Sequence, residues 1–111
     1  MAVRLNNPWR AANEEEIARL PGQLGVFELG DDDEEIIFIG CADGRSLFGL
    51  RSAVADALRE TGEASRFRIE VTTAYRSRHL ELLMVFQADH DTLPRCNQST
   101  QLPPLGRLSP S

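Results

Sequence analysis

Hydrophobic residues recur along the chain with two alternating periods, and turn-forming residues separate the runs. Asn13, with Glu16 three positions on, has the form of a helix capping box. Ile17 and Leu20 follow at helical spacing, so a short helix is expected to stop before Pro21. Residues 25–29 and 35–41 read as two strands joined by the turn Gly30-Asp31-Asp32-Asp33-Glu34, a hairpin. Ile36-Ile37-Phe38-Ile39 does not alternate, which predicts a strand covered on both faces. Ser46 can cap a helix whose face carries Leu47, Leu50, Val54 and Leu58, and Thr61-Gly62 ends it. Phe67, Ile69 and Val71 then alternate with Arg66, Arg68, Glu70 and Thr72, the pattern of a half-buried strand. From Tyr75 to about Ala88 the apolar residues lie so densely that a largely buried helix is expected. After Pro94 the chain turns to Gln, Ser, Thr, Pro and Gly, and residues 98–111 are expected to be a disordered tail.

The order helix, strand, strand, helix, strand, helix predicts an α/β (α+β) domain. Its sheet is small, three-stranded and mainly antiparallel, with flanking helices. The domain is expected over residues 22–97, preceded by an N-terminal segment, 1–21, that holds the short helix. Trp9 is expected to pack on the domain as an anchor.

Composition narrows the functional classes. The chain has 111 residues, 41% of them hydrophobic and 26% charged, as in an ordinary globular domain. No apolar run approaches the ~20 residues of a membrane helix, and residues 1–7 carry no hydrophobic stretch of a secretory signal. No membrane association and a cytoplasmic location are therefore expected. Cys41 and Cys96 lack a CxxC partner and read as free thiols. All 12 basic residues are Arg. Residues 1–44 carry a net −7 and residues 45–111 a net +2. A nucleic-acid partner must therefore use a local Arg cluster rather than a global field. The candidates are Arg45, Arg51, Arg66 and Arg68.

Several short motifs occur in a telling order. Leu20-Pro21-Gly22 is followed by Gly25-Val26-Phe27, then by Phe38-Ile39-Gly40, and Pro94-Arg95-Cys96-Asn97 closes the series. This resembles the GIY-YIG nuclease family over residues 20–97. The family has a Pro-Gly lead-in, a Gly-Ile/Val-Tyr strand, an acidic turn and a Tyr-Ile/Val-Gly strand. A helix bearing Arg, a third strand, a helix bearing Glu and a Pro-x-x-Asn follow. The resemblance implies phosphodiester hydrolysis in which a Tyr helps activate water, one carboxylate holds a divalent cation and an Arg stabilises developing charge. By position, Glu81 matches the metal-binding Glu, with Mg²⁺ or Mn²⁺ as the implied cofactor, and Arg51 matches the helix Arg.

Both signature tyrosines are replaced, by Phe27 and Phe38, and Cys41 stands where many members have Lys or Arg. A phenyl ring can neither accept a proton nor hold a water. Catalysis is accordingly expected to be absent or greatly changed, leaving an interaction module for nucleic acid or protein. Two alternatives stay open: a metal-dependent endonuclease with rearranged groups, and a homo-oligomeric structural module with an exposed apolar patch at Trp9 or Phe86. Glu81 also has a simpler reading, an ion pair with Arg78 one helical turn away. Other chemistries fit poorly. The acidic turn lacks the ligand spacing of a calcium loop. His79-Leu80-Glu81 with Cys96 lacks the second Cys of a zinc deaminase, Ser99 standing in its place.

Overall fold

A computed structural model describes residues 4–44 and 46–97. Arg45 and the expected tail at 98–111 lie outside the described residues. The elements run β1 (Arg10–Ala11), α1 (Glu14–Ala18), β2 (Gly25–Gly30), β3 (Ile36–Ala42), α2 (Leu50–Thr61), β4 (Arg66–Val71), α3 (Tyr75–His90) and a closing 3-10 turn (Arg95–Asn97). The class is the expected α+β. The sheet has four strands in the order β1-β4-β2-β3, all neighbours antiparallel, where three were expected. The added strand is β1, whose two residues pair with Phe67 and Arg66 at the edge. Two residues are too few to show a hydrophobic period, so backbone pairing alone defines this strand.

Strand β2 lies at the centre, paired on both sides, and each of its residues is buried. The most covered strand is therefore β2, whereas the apolar run of β3 forms an edge in which Ile36 and Phe38 are half-buried. Pairing opposes Leu29 to Phe38 and Gly30 to Ile36, which leaves Ile37 as the extra residue of a bulge. The bulge explains why Ile37 and Phe38 both reach the same core. That core joins Phe27, Leu29 and Phe67 of the sheet to Leu50, Val54 and Ala57 of α2 and to Leu20 beyond α1. The opposite face of the sheet presents Val26 and Ile39 to Leu82 and Leu83 of α3, with Leu5 joining them. Residues 4–21 are thus packed into the domain through Leu5 and Leu20.

The helix ends follow local chemistry. Asn13 Oδ1 accepts the Glu16 amide at 2.8 Å, as a capping residue does, while the Glu16 carboxylate turns to Arg10 Nε at 3.0 Å. Helix α2 begins at Leu50, not at Ser46, and Leu47 stays outside it, 82% exposed. The reason is Gly49, whose φ of 57° is left-handed and whose added Cβ would stand 2.5 Å from the Gln23 carbonyl oxygen and the Gly22 carbonyl carbon. The Leu50 amide donates to that same Gln23 carbonyl at 2.9 Å. Gly49→Ala is expected to lower the unfolding free energy by about 1–3 kcal/mol. Urea denaturation checks this, and an unchanged midpoint would refute the assignment of Gly49 as the hinge of the turn. Gly62 closes α2 with a left-handed φ of 65° and its amide on the Leu58 carbonyl at 3.1 Å.

Helix α3 is less buried than its composition predicts: only Leu82 and Leu83 are fully covered. Among the described residues no element packs over its outer side, so Leu80, Met84, Val85 and Phe86 stay half-exposed. No described helix is long and apolar enough to cross a membrane.

Candidate functional site

The residues at the two signature positions meet on the α2 side of the sheet. Phe27 on β2 and Phe38 on β3 place their ring centroids 6.0 Å apart, tilted by 41°. Gly40, opposite Phe27, lets both rings lie over the strand, since a Cβ there would come within 2.5 Å of Phe27 Cζ and 2.8 Å of Phe38 Cε2. These rings form the floor of an open groove of about 770 Å³. One wall is α2, through Ser52, Ala53, Asp56, Ala57 and Glu60, and one end is the turn from Ser46 to Phe48. His79 and Asn97 line it as well. Phe48 is 54% exposed beside the groove. Asp43, Asp56 and Glu60 make the described rim acidic, although Asp56 is also paired with Arg59.

Asn97 holds this site to the sheet edge. Its Oδ1 accepts the Ile39 amide at 2.7 Å, and its Nδ2 donates to the Ile39 carbonyl at 3.1 Å. The carboxamide therefore takes the place of a neighbouring strand along β3 and satisfies backbone groups that the sheet leaves open. Only 3% of Asn97 is exposed. His79 Nε2 lies 3.2 Å from the same carbonyl. A carbonyl only accepts, so Nε2 carries the proton. Burial pushes the His79 pKa down, which keeps the ring neutral at pH 7 and fixes the tautomer with Nδ1 as an acceptor.

The remaining candidates lie elsewhere. Arg51, exposed on α2, donates Nε to the Leu20 carbonyl at 3.1 Å. Glu81 is on α3, across the sheet, where it is bonded to Arg78. Arg78 also makes a two-pronged contact with Glu70, at 3.0 and 3.1 Å. Neither Arg51 nor Glu81 lines the groove. Arg66 and Arg68 share the α3 face of β4, away from Arg51. Arg66 pairs with Glu34 at 3.7 Å, and Arg68 pairs with Glu28 at 2.7 Å. Among the described residues no three His, Cys, Asp or Glu side chains gather as a metal-ligand set. Burial raises the pKa of both the Cys41 and the Cys96 thiols, which keeps them protonated and weakly nucleophilic.

Glu28 and His79 were not singled out as site residues by the sequence. Glu28 is a charged residue in the middle of the central strand, 3% exposed. Its Arg68 partner is held in turn by Trp9, with the guanidinium carbon 4.2 Å from the ring centroid. Trp9 lies against Gly30, where a Cβ would come 2.8 Å from its ring. The break in alternation at Glu28, opposite an Arg-rich strand, was the available signal for this buried pair. For His79 there was none, because its partner is a backbone carbonyl.

No match is found among curated proteins. The family model described as Domain of unknown function (DUF7508) matches residues 3–89, which include β1 to β4 and nearly all of α3. The chain belongs to the DUF7508 family.

Proposed function

We propose that this chain is a GIY-YIG-like domain without that family's nuclease chemistry, and that it serves as a protein-interaction module through the groove over Phe27 and Phe38. The carrying observation is the pairing of these two rings as the floor of an open groove with an acidic rim. An aromatic floor offers large contact area at low entropic cost, and the carboxylates favour a cationic neighbour over a phosphate backbone. The ligand class that fits is a peptide with apolar side chains flanked by Lys or Arg. Nucleic acid is the weaker reading, because Arg51 lies on the other side of the sheet from Arg66 and Arg68, and the latter two are engaged with carboxylates.

The first test selects ligands from a phage-displayed library of random peptides. Binders rich in apolar residues and Lys or Arg should emerge, and Ala53→Arg, which fills the groove wall, should abolish their binding. Binders indifferent to that substitution would refute the groove. Fluorescence anisotropy with labelled DNA and RNA at two salt concentrations runs beside it. Tight nucleic-acid binding that weakens steeply with salt would restore the nucleic-acid reading. Incubation with plasmid and Mg²⁺ or Mn²⁺ should leave the plasmid intact. Losing general-base assistance is worth ~10² to 10⁴ in rate. Nicking that disappears in Glu81→Ala would instead identify a nuclease with rearranged groups.

A further inference from the structure

We infer a second binding site, on the α3 side of the sheet: a chamber at Glu28 and the cleft outside it take a linear aliphatic diammonium ion, with one ammonium on the Glu28 carboxylate and the other on Glu35. The site is separate from the groove over Phe27 and Phe38. The inner chamber has a volume of about 60 Å³ and lies between Glu28 and Arg68 of the sheet and Leu82, Val85 and Phe86 of α3. The outer cleft, of about 400 Å³, shares Ile36, Arg68, Phe86 and His90 with the chamber and adds Glu34 and Glu35. The shared walls make the two spaces neighbours.

The first support is a buried acceptor. Glu28 is 3% exposed and takes Arg68 Nε on Oε1 at 2.7 Å, while its Oε2 has no hydrogen-bond partner among the described residues. A buried carboxylate oxygen calls for a donor, and the chamber beside it has more room than one water needs. The second is charge. Glu28, Glu34, Glu35 and Asp89 line the two spaces against Arg4 and Arg68, so −4 meets +2 and leaves −2 before His90 is counted. Both arginines are engaged, Arg4 with the two Asp89 oxygens at 2.7–3.0 Å and Arg68 with Glu28 and the Trp9 ring. Glu35 is exposed and makes no ion pair among the described residues. Helix α3 ends at His90, and the negative end of its dipole also favours a cation. The third is the wall between the charges. Ile36, Val85 and Phe86 are apolar, and the Phe86 and His90 ring centroids lie 4.1 Å apart. An alkyl chain suits such a wall, and a phenyl face attracts the ammonium at its end. Register sets the length. The Asp31 amide donates to the Glu35 carbonyl at 3.1 Å, so Glu35 stands level with Asp31. Glu28 and Glu35 are then three strand steps apart, on the order of 10 Å. With a hydrogen bond at each end, that span fits two ammonium groups joined by a short alkyl chain such as that of cadaverine.

The experiment titrates the full chain with cadaverine and follows it by two-dimensional amide NMR. Ile36, Val85 and Phe86 should shift with a dissociation constant below about 1 mM, while Gly40, Ala53 and Ala57 of the groove stay in place. Pentylamine has one ammonium and should bind about threefold more weakly. Glu28→Gln keeps a carbonyl oxygen for Arg68 but turns an NH₂ towards the chamber, a donor facing a donor. It should weaken cadaverine at least about tenfold. Glu35→Gln, on the exposed rim, should remove the advantage of cadaverine over pentylamine and leave pentylamine binding unchanged. A folded Glu28→Gln protein that binds cadaverine as tightly as the unaltered chain would overturn the inference. So would equal affinities of the unaltered chain for the two amines, shifts confined to the turn at residues 31–34, or no shift at millimolar cadaverine. Should Glu28→Gln fail to fold, Glu35→Gln decides: an undiminished preference for cadaverine would refute the site.

Discussion

Arg68→Ala is expected to cost about 3–5 kcal/mol of folding stability at neutral pH, the largest loss foreseen for any single exposed or half-buried residue here. The substitution removes the hydrogen-bonded counter-charge of Glu28 in the centre of β2, where almost none of it meets water, and leaves only the attraction of Arg78. It also removes the cation over Trp9. Burial already raises the Glu28 pKa above the ordinary carboxylate range, against the lowering effect of Arg68, and loss of Arg68 raises it further. The sign of the pH dependence follows. A carboxyl with a raised folded-state pKa has its full stability below the unfolded-chain value and loses it as pH rises through the folded value. The deficit of Arg68→Ala relative to the unaltered protein should therefore be smallest in acid. It should grow as pH rises through the folded-state Glu28 pKa of the unaltered protein, above the ordinary carboxylate range, until Glu28 is ionised in the variant as well. Urea midpoints at several pH values, with the slope unchanged, measure it. A loss below about 1 kcal/mol, or one independent of pH, would show that Glu28 is hydrated in solution. Replacing both partners together, as in Glu28→Leu/Arg68→Leu, should be far milder, because no buried charge is then left alone.

The second large effect belongs to Asn97. Asn97→Ala removes the side chain that, among the described residues, answers the Ile39 amide at the sheet edge, and the protein is expected to lose about 2–4 kcal/mol. The Ile39 carbonyl keeps His79, so the orphaned group is the amide. Asn97→Asp tests the geometry more closely. One carboxylate oxygen can still accept the amide, but the other then faces the Ile39 carbonyl oxygen, where Asn97 had placed a donor. The aspartate variant should be as unstable as alanine at neutral pH and recover in acid, once protonation supplies a donor. Equal stability of all three proteins would mean that water replaces the carboxamide at no cost. Hydrogen exchange at the Ile39 amide reports the same bond directly.

These two sites mark what the sequence could and could not disclose. The hairpin, the alternation of Phe67 and Ile69 and the Asn13 cap were legible, because each is a short-range pattern with one structural solution. Strand β1 was not, since Arg10 and Ala11 are recruited by backbone pairing to Phe67 and Arg66 and by nothing in their side chains. Leu47 fits the helical period of α2 and yet lies outside it, because the period carries no information about the left-handed backbone that Gly49 needs against Gly22 and Gln23. Leu5 stands between Arg4 and Asn6 in a segment with no helix or strand period, and only the tertiary fold reveals that it fills the α3-side core. For the candidate site, the motif order picked out Phe27, Phe38, Gly40 and Asn97, and the fold brings these four together. Arg51 and Glu81 were carried over by position along helices, and a position does not say which face of α2 turns to the groove or that α3 covers the opposite side of the sheet.

The buried glutamate has a consequence for how the chain finds its fold. Side chains of a strand alternate between faces, so a slip of β2 by one residue would drive Glu28 into the apolar layer under α2. The same slip would strand Phe27 and Leu29 among the arginines and glutamates beneath α3. Here an error of one step would also bury an unmatched charge among phenylalanines and leucines once the helices cover the sheet, so a misaligned register is disfavoured beyond the usual cost. A residue that adds little to the depth of the native state thus helps keep it the only one within reach.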